Sequence, residues 1–292
     1  MILGVRDLEK GKAAKQDIAS SLRLDDEAAS SRLEVWHVQM DSFQSVKDFC
    51  RRAAALDRLD IVIENAGLLS HLYHRAEGYE YLTTVNVIST WLMALLLLPI
   101  LRATKDKYYG NGSEKQDTKT NGHPHLVIVG SNAHFYTKFK AQNEPSIFEY
   151  LKGGEDMFNR YADTKLISLF VAREVAKRMN DSKGKSQVVL NIVEPGYCQS
   201  QLMREKSWAW YFELLMILGL SLVARTSEQG SRTYISAATA GPESHGVYLE
   251  DCKLSTPHEF VDSEKGGMIQ KKVFGELMDI LEGLEPGISQ NI

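Results

Sequence analysis

Short runs of apolar, largely β-branched residues recur at 2–5, 33–38, 59–63, 125–129, 188–192 and 247–249, lengths that suit strands. Between them the apolar positions fall three and four residues apart, over 8–22, 43–56, 79–103, 155–180, 226–240 and 264–283. That spacing predicts helices with one buried face. Strand alternating with helix implies an α/β fold, a doubly wound parallel sheet with helices on both faces. Ligands of such sheets bind beyond the carboxyl ends of the strands, so the residues just after each strand carry the functional reading.

Two kinds of segment depart from the alternation. Residues 104–123, with Gly110-Asn111-Gly112-Ser113, have no hydrophobic face and predict a flexible surface loop. The apolar run 91–101 is shorter than the roughly 20 residues of a bilayer span and reads as a buried helix. A second run, 208–223, holds Trp208, Trp210, Tyr211 and Phe212 and is interrupted by Glu213. It predicts a substrate-covering segment over 201–225 or a contact in a homo-oligomer, with peripheral membrane contact as the alternative. No internal repeat is present, and 1–292 reads as a single domain.

The 292 residues are 43% hydrophobic, enough for one large core, and the net charge of -4 gives no electrostatic reason to expect nucleic acid or an anionic membrane. Cys50, Cys198 and Cys252 show neither zinc spacing nor a disulfide framework. Together with a start that reads as neither a secretory signal nor a transit peptide, they predict a reducing, cytoplasmic setting.

Tyr161-Ala162-Asp163-Thr164-Lys165 lies inside the 155–180 helix, where positions i and i+4 share a face. An ammonium beside a phenol favours the phenolate, so the pair predicts a tyrosine whose pKa is pulled down towards the working pH. Tyr136 and Lys140 repeat the spacing in a polar stretch without helical periodicity, so spacing alone decides nothing. Three strand ends add candidate chemistry. Asn65-Ala66-Gly67 lets a ligand approach the backbone, with Asn65 able to brace neighbouring strand ends; as a bland alternative it is an ordinary loop start. Ser131 follows the next strand and could hold a carbonyl oxygen, or simply cap a turn. Pro195-Gly196 follows the strand after that and is a turn signal in its own right. His134 near Ser131 raises serine hydrolysis, but no Gly-x-Ser-x-Gly elbow is present.

With these residues in place, nearly the whole chain resembles the short-chain dehydrogenase/reductase family, in its retinol-dehydrogenase-like and fungal secondary-metabolism branch. Asn65-Ala66-Gly67 is similar to the family's Asn-Asn-Ala-Gly motif, with Glu64 in place of the first asparagine. Asn86, Ser131, Tyr161 and Lys165 stand where the family carries its catalytic tetrad. The resemblance implies a Rossmann-like fold and an NADP-dependent oxidoreductase, without metal, interconverting a carbonyl and an alcohol on a bulky apolar molecule. Tyr161 would move the proton, Ser131 would polarise the oxygen, Lys165 would tune Tyr161 and bind ribose, and Asn86 would place a water linking Lys165 to solvent. Arg6 would meet a 2′-phosphate and Asp41 the adenine, while Asn65, Ala66, Gly67, Pro195, Gly196, Cys198 and Ser200 would line the cofactor.

The family's first strand and glycine-rich phosphate loop would precede Met1, so the resemblance implies an N-terminally incomplete domain. In the family's strand order that strand is central. Strands 2–5 and 59–63 would then either pair directly or leave buried backbone groups unsatisfied. Two classes of function follow: an NADP-dependent reductase or dehydrogenase, and a catalytically silent partner or scaffold that binds cofactor poorly.

Overall fold

The computed structural model describes residues 1–110, 122–182, 184, 185, 187–199, 202 and 224–292. The central sheet consists of β3 (Ile61–Glu64), β6 (His125–Val129), β7 (Val189–Glu194), β8 (Tyr248–Glu250) and β9 (Lys253–Ser255), in the order β3-β6-β7-β8-β9. All pairings are parallel except the β8–β9 hairpin. Every residue of β6 and β7 is buried, because helices cover both faces and leave no position for a polar side. Leu126 and Ile128 point into the larger core, with helices α5 (Thr90–Tyr108), α7 (Met157–Asp181) and α10 (Glu264–Leu284). Val127, Val129 and Val193 point the other way, onto Ala237 and Ala238 of α8 (Ser227–Ala238).

β1 (Ile2–Val5) and β2 (Glu34–His37) form a separate parallel pair, joined by α1 (Leu8–Ser21) and α2 (Asp26–Arg32). Among the described residues β1 pairs with β2 alone and β3 with β6 alone, so direct pairing of 2–5 with 59–63 does not occur. Ile61 and Ile63 of β3 are 38% and 37% exposed and Gly4 of β1 is exposed, while Val62 and Glu64 of β3 are buried. The pair is held by side chains instead. Trp36 and Val38 pack with Phe43, Val46 and Cys50 of α3 (Phe43–Ala53) into the core that contains α5, and Trp36 meets Phe49 edge to face at 5.6 Å.

Helix starts follow their capping residues. Asp7 accepts from the backbone of Glu9 and Lys10, Ser42 from Ser45 and Ser263 from Gly266, while Thr226 and Gln229 form a reciprocal capping box. α5 follows a short hairpin, β4 (Arg75–Ala76) and β5 (Tyr79–Glu80), one turn of helix, α4 (Tyr81–Thr83), and a π-helical turn, Thr84–Ser89. Pro99 inside α5 removes the N–H that Leu95 O would accept, and Asn291 Nδ2 donates to that oxygen at 3.1 Å instead. Tyr81–Tyr108 is long and apolar enough to cross a membrane, yet 83% of its most apolar stretch is buried within the protein. α5 also runs to Tyr108, so 104–108 is helix rather than the start of the expected loop; Thr104 Oγ1 accepts from Leu59 N at 2.8 Å. Most of that loop, Ser200 and nearly all of the segment 201–225 lie outside the described residues. Short elements with too few periodic positions to read, α2 and α6 (Ile147–Leu151) among them, were not expected from the sequence.

Candidate active site

Because β3, β6 and β7 are parallel, their carboxyl ends open on one edge of the sheet. Asn65-Ala66-Gly67, Gly130-Ser131 and Pro195-Gly196 are thereby gathered there. The helix α7 crosses behind Ser131 and brings Tyr161 and Lys165 to the same edge. The Ser131 hydroxyl stands close enough to the Tyr161 phenol to draw its pKa down, and the Lys165 ammonium lies 5.7 Å from the centre of the Tyr161 ring. Lys165 Nζ donates to Val129 O at 2.8 Å. A Cβ added to Gly67 would lie 3.4 Å from Asn86 Oδ1 and 3.9 Å from Lys165 Nζ, so the glycine brings the β3 end close against both.

Asn86 sits in the π-helical turn, an irregularity often found at functional sites. Its amide donates to Leu68 O at 3.0 Å and to Thr164 Oγ1 at 3.2 Å, and its Oδ1 accepts from Leu68 N at 2.9 Å. Its main-chain carbonyl accepts from Ser168 Oγ at 3.2 Å. The side chain thus braces the loop after Gly67 against α7, a task distinct from the water placement that the resemblance implies. Asn65 braces as well, though across the fold: Tyr234 of α8 donates to Asn65 Oδ1 at 2.9 Å.

The electrostatics differ from the expectation for Tyr161. Burial pushes its phenol above the ordinary tyrosine value, opposed by the Ser131 hydrogen bond and reinforced by Glu194. Lys165 is itself pushed down to about 8 by burial, with its ammonium directed at Val129 O. Burial is the largest influence on the Tyr161 phenol and moves it upward, the opposite of the direction that the i, i+4 spacing predicts. Two buried carboxyls flank the edge. Glu64 is pushed up to about 8 by burial, and Glu194 is raised by burial against a hydrogen bond from the Gly196 backbone.

Ser131 also does what the bland alternative requires, accepting from Ala133 N at 3.1 Å to cap a short 3-10 turn. His134 does not activate its hydroxyl. His134 Nδ1 donates to Ser131 O at 2.7 Å and Nε2 accepts from His258 N at 3.3 Å, which fixes a neutral ring already disfavoured from protonation by burial. The second Tyr/Lys spacing is not a pair: Tyr136 is 77% exposed after that turn, and Lys140 is bound to Asp156 at 3.1 Å.

Residues suited to a nicotinamide cofactor divide between two places. Lys165, Tyr161, Asn65 and Gly67 stand together at the carboxyl edge of the central sheet as candidates for the nicotinamide ribose, and Gly196 (φ +82) turns the chain after β7. A side chain at Gly196 would also strike Arg225 at 2.8 Å. Cys198 is tied to Pro195 O at 3.3 Å and packs on Gly230. Arg6 is exposed at the end of β1, Asp7 caps α1, and Asp41 accepts from Tyr81 at 3.4 Å. Arg6 and Asp41 thus stand with the β1–β2 pair, apart from the central sheet.

A buried lattice behind the site escaped the sequence reading. Arg160 is fully enclosed and donates to Glu80 Oε2 at 3.2 Å, Leu151 O at 2.7 Å, Gly153 O at 3.2 Å and Glu155 O at 2.9 Å. Glu80 in turn accepts from the backbone of Leu82 and Thr83. This ties the start of the Asn86 helix to the loop that enters α7. The sequence signal was the charge of Arg160 beside Tyr161, with Asp163 and Thr164 on the same helix face.

No family model matches the chain. A short chain dehydrogenase/reductase of Cryptosporiopsis sp. is 34% identical over 298 residues, covering 100% of this chain and 85% of that protein. A short-chain dehydrogenase of Penicillium roqueforti is 32% identical, covering 99% and 72%. Among solved structures, NADPH-bound carbonyl reductase from chicken fatty liver aligns with a TM-score of 0.57 at 12% identity, covering 87% and 86%. Carbonyl reductase Sniffer of D. melanogaster aligns with a TM-score of 0.56 at 11% identity, covering 88% and 87%. The fold is therefore that of Rossmann-type reductases. From the identity to curated relatives along its whole length, the chain is a member of the short-chain dehydrogenase/reductase family and an oxidoreductase by descent.

Proposed function

We propose that this chain is an NADP-dependent oxidoreductase that interconverts a carbonyl and an alcohol on a bulky apolar small molecule, within fungal secondary metabolism. The observation that carries the reading is the meeting of Ser131, Tyr161 and Lys165 at one sheet edge, with the Ser131 hydroxyl acting on the Tyr161 phenol and the Lys165 ammonium 5.7 Å from its ring. When bound, the nicotinamide supplies or takes the hydride. Ser131 holds the substrate oxygen through its hydroxyl, and Tyr161 gives that oxygen a proton as carbonyl becomes alcohol. A phenol kept protonated by burial suits the reductive direction. Lys165, Asn65 and Gly67 hold the ribose, and Arg6 and Asp41 the adenosine end. A cytoplasmic setting and self-association through 208–223 belong to the same proposal.

A second reading, a reductase-like partner without turnover, is favoured by the separation of Arg6 and Asp41 from the Lys165 edge, on different sheets. Titration with NADPH, followed by nicotinamide fluorescence, decides between them. Saturable binding, together with a Tyr161→Phe variant that binds NADPH within about twofold of wild type but turns over about 10²- to 10⁴-fold more slowly, supports the enzyme. No saturation at millimolar NADPH establishes the silent partner.

A further inference from the structure

β6 ends at Val129, and Gly130 N still joins the sheet by donating to Val193 O at 2.8 Å. Ser131 comes next, and its carbonyl is held by the side chain three residues on: His134 Nδ1 donates to Ser131 O at 2.7 Å. His134 is 3% exposed, with its ring centre 4.3 Å from that of Phe135 and 5.2 Å from that of Tyr248, which it meets edge to face. Its Nε2 accepts from His258 N at 3.3 Å. A backbone N–H only donates and a carbonyl only accepts, so the two bonds together require a neutral ring with its proton on Nδ1.

The far end of this link is itself anchored. His258 starts α9 (Glu259–Asp262), with its own Nδ1 accepting from Phe260 N at 3.0 Å. Phe260 packs against the larger core and meets Phe170 of α7 edge to face, with ring centres 6.2 Å apart. Because α7 also carries Tyr161, Ser131 and Tyr161 are joined by two routes. One is direct, where the Ser131 hydroxyl acts on the phenol. The other runs through His134, His258, Phe260 and Phe170, and it ties the end of β6 to α7.

We propose that His134 is a positioning residue for the Ser131–Tyr161 pair, a latch that is closed while its Nε2 is bare and opens when acid protonates that nitrogen. A proton taken from solvent onto Nε2 points at the His258 N–H, so two donors face each other and that bond is lost, whereas the bond to Ser131 O survives. Ser131 then keeps its local turn and loses its tie to α7. Among the described residues, the titratable groups facing the ring are Tyr248 and Glu250 of β8 and His258 before α9. Burial, the largest influence, pushes the pKa of His134 below the ordinary histidine value; His258 adds to this, and the bond to Ser131 O and the charge of Glu250 oppose it. The latch is therefore closed at neutral pH and opens on the acid side of that value. The inference rests on the oxidoreductase reading of the Tyr161 site, to which it adds a pH dependence.

The test follows the histidine side chains of the wild-type chain by long-range proton–nitrogen NMR, with His134 assigned by the signal missing from His134→Asn. At neutral pH the proton is expected on Nδ1, and protonation of Nε2 in acid is expected to lower hydrogen-exchange protection at the His258 amide by about tenfold. With NADPH and 2-tetralone as the probe ketone, kcat is expected to fall by about tenfold through the same acid midpoint, while KM for NADPH stays within about twofold. His134→Asn keeps a donor near the Nδ1 position and has no Nε2, so it is expected to show the lower, acid kcat at every pH, without that limb. His258→Pro, whose ring suits the φ of -52 there, removes the N–H that opposes the cation and is expected to move the NMR midpoint of His134 to higher pH. A proton on Nε2 at neutral pH, His258 protection that ignores the titration of His134, or an acid limb unchanged in His134→Asn overturns the latch and leaves the oxidoreductase reading intact. Absence of NADPH binding and of turnover overturns the oxidoreductase reading, while the tautomer, the His258 protection and the midpoint in His258→Pro still decide the latch.

Discussion

Replacing Glu64 by glutamine isolates the cost of one buried carboxyl. Glu64 closes β3 at 5% exposure, with Oε1 lacking a hydrogen-bond partner, and burial pushes its pKa from 4.5 up to about 8. Its side chain shares the face of Val62, towards α3, where it helps burial push the Cys50 thiol up. With the folded pKa above the unfolded one, the native state binds the proton more tightly. The resulting stability is complete below the unfolded value of 4.5 and is lost as pH rises through about 8. At about 1.36 kcal/mol per unit, holding this group in the fold at pH 7 costs about 3 kcal/mol. Glutamine has nearly the shape and polarity of the protonated acid and cannot ionise. Glu64→Gln should therefore match wild type at about pH 4 and exceed it by about 3 to 4 kcal/mol at about pH 7 to 8, measured by urea unfolding with tryptophan fluorescence. A difference that stays constant with pH, or a less stable variant at the alkaline end, would refute the reasoning.

Three further outcomes are expected. Lys165 is a cation whose folded pKa, about 8, lies below its ordinary 10.5, so the unfolded chain binds more protons between those values and stability rises with pH across that window. Lys165→Met should abolish that slope in pH-dependent unfolding and, after the lost bond to Val129 O, stabilise the protein by about 1 to 2 kcal/mol at neutral pH. Arg160→Met leaves Glu80 buried without its cation and should cost about 3 to 5 kcal/mol in urea unfolding, partly recovered in the double variant with Glu80→Gln. Asn86→Ala releases Leu68 and should raise hydrogen exchange at Leu68 and Leu69 while lowering kcat more than it alters NADPH affinity.

How far the sequence could be read depended on the range over which each signal acts. The strand 125–129 and the helices beginning near 8, 43 and 264 were placed within a residue or two, because capping and periodicity are local. Convergence of Ser131 with Tyr161 was legible for a related reason: parallel strand order puts all the strand ends on one edge. The division of β1–β2 from the central sheet was not, since strand pairing is settled by what lies alongside rather than by periodicity. Nor was the Tyr234–Asn65 bond, which joins residues 169 positions apart. The upward direction at Tyr161 has the same origin, for the i, i+4 spacing shows the neighbouring ammonium but not the depth of burial that raises the phenol.

The π-helical turn at Thr84–Ser89 has the geometry of a helix that has taken in one surplus residue and absorbed it locally. Deleting that residue would rotate the two flanking stretches against each other by about 100°. On the α5 side, Trp91 to Leu98 is apolar and buried on nearly every side, so its hydrophobic pattern alone does not fix its rotation. The reach of Asn86 to Leu68, by contrast, exists at one phase only. The surplus residue therefore lets one polar amide meet the loop after Gly67 while the helix beyond it keeps the phase its own contacts require, Asn291 on Leu95 O and Thr104 on Leu59 N among them.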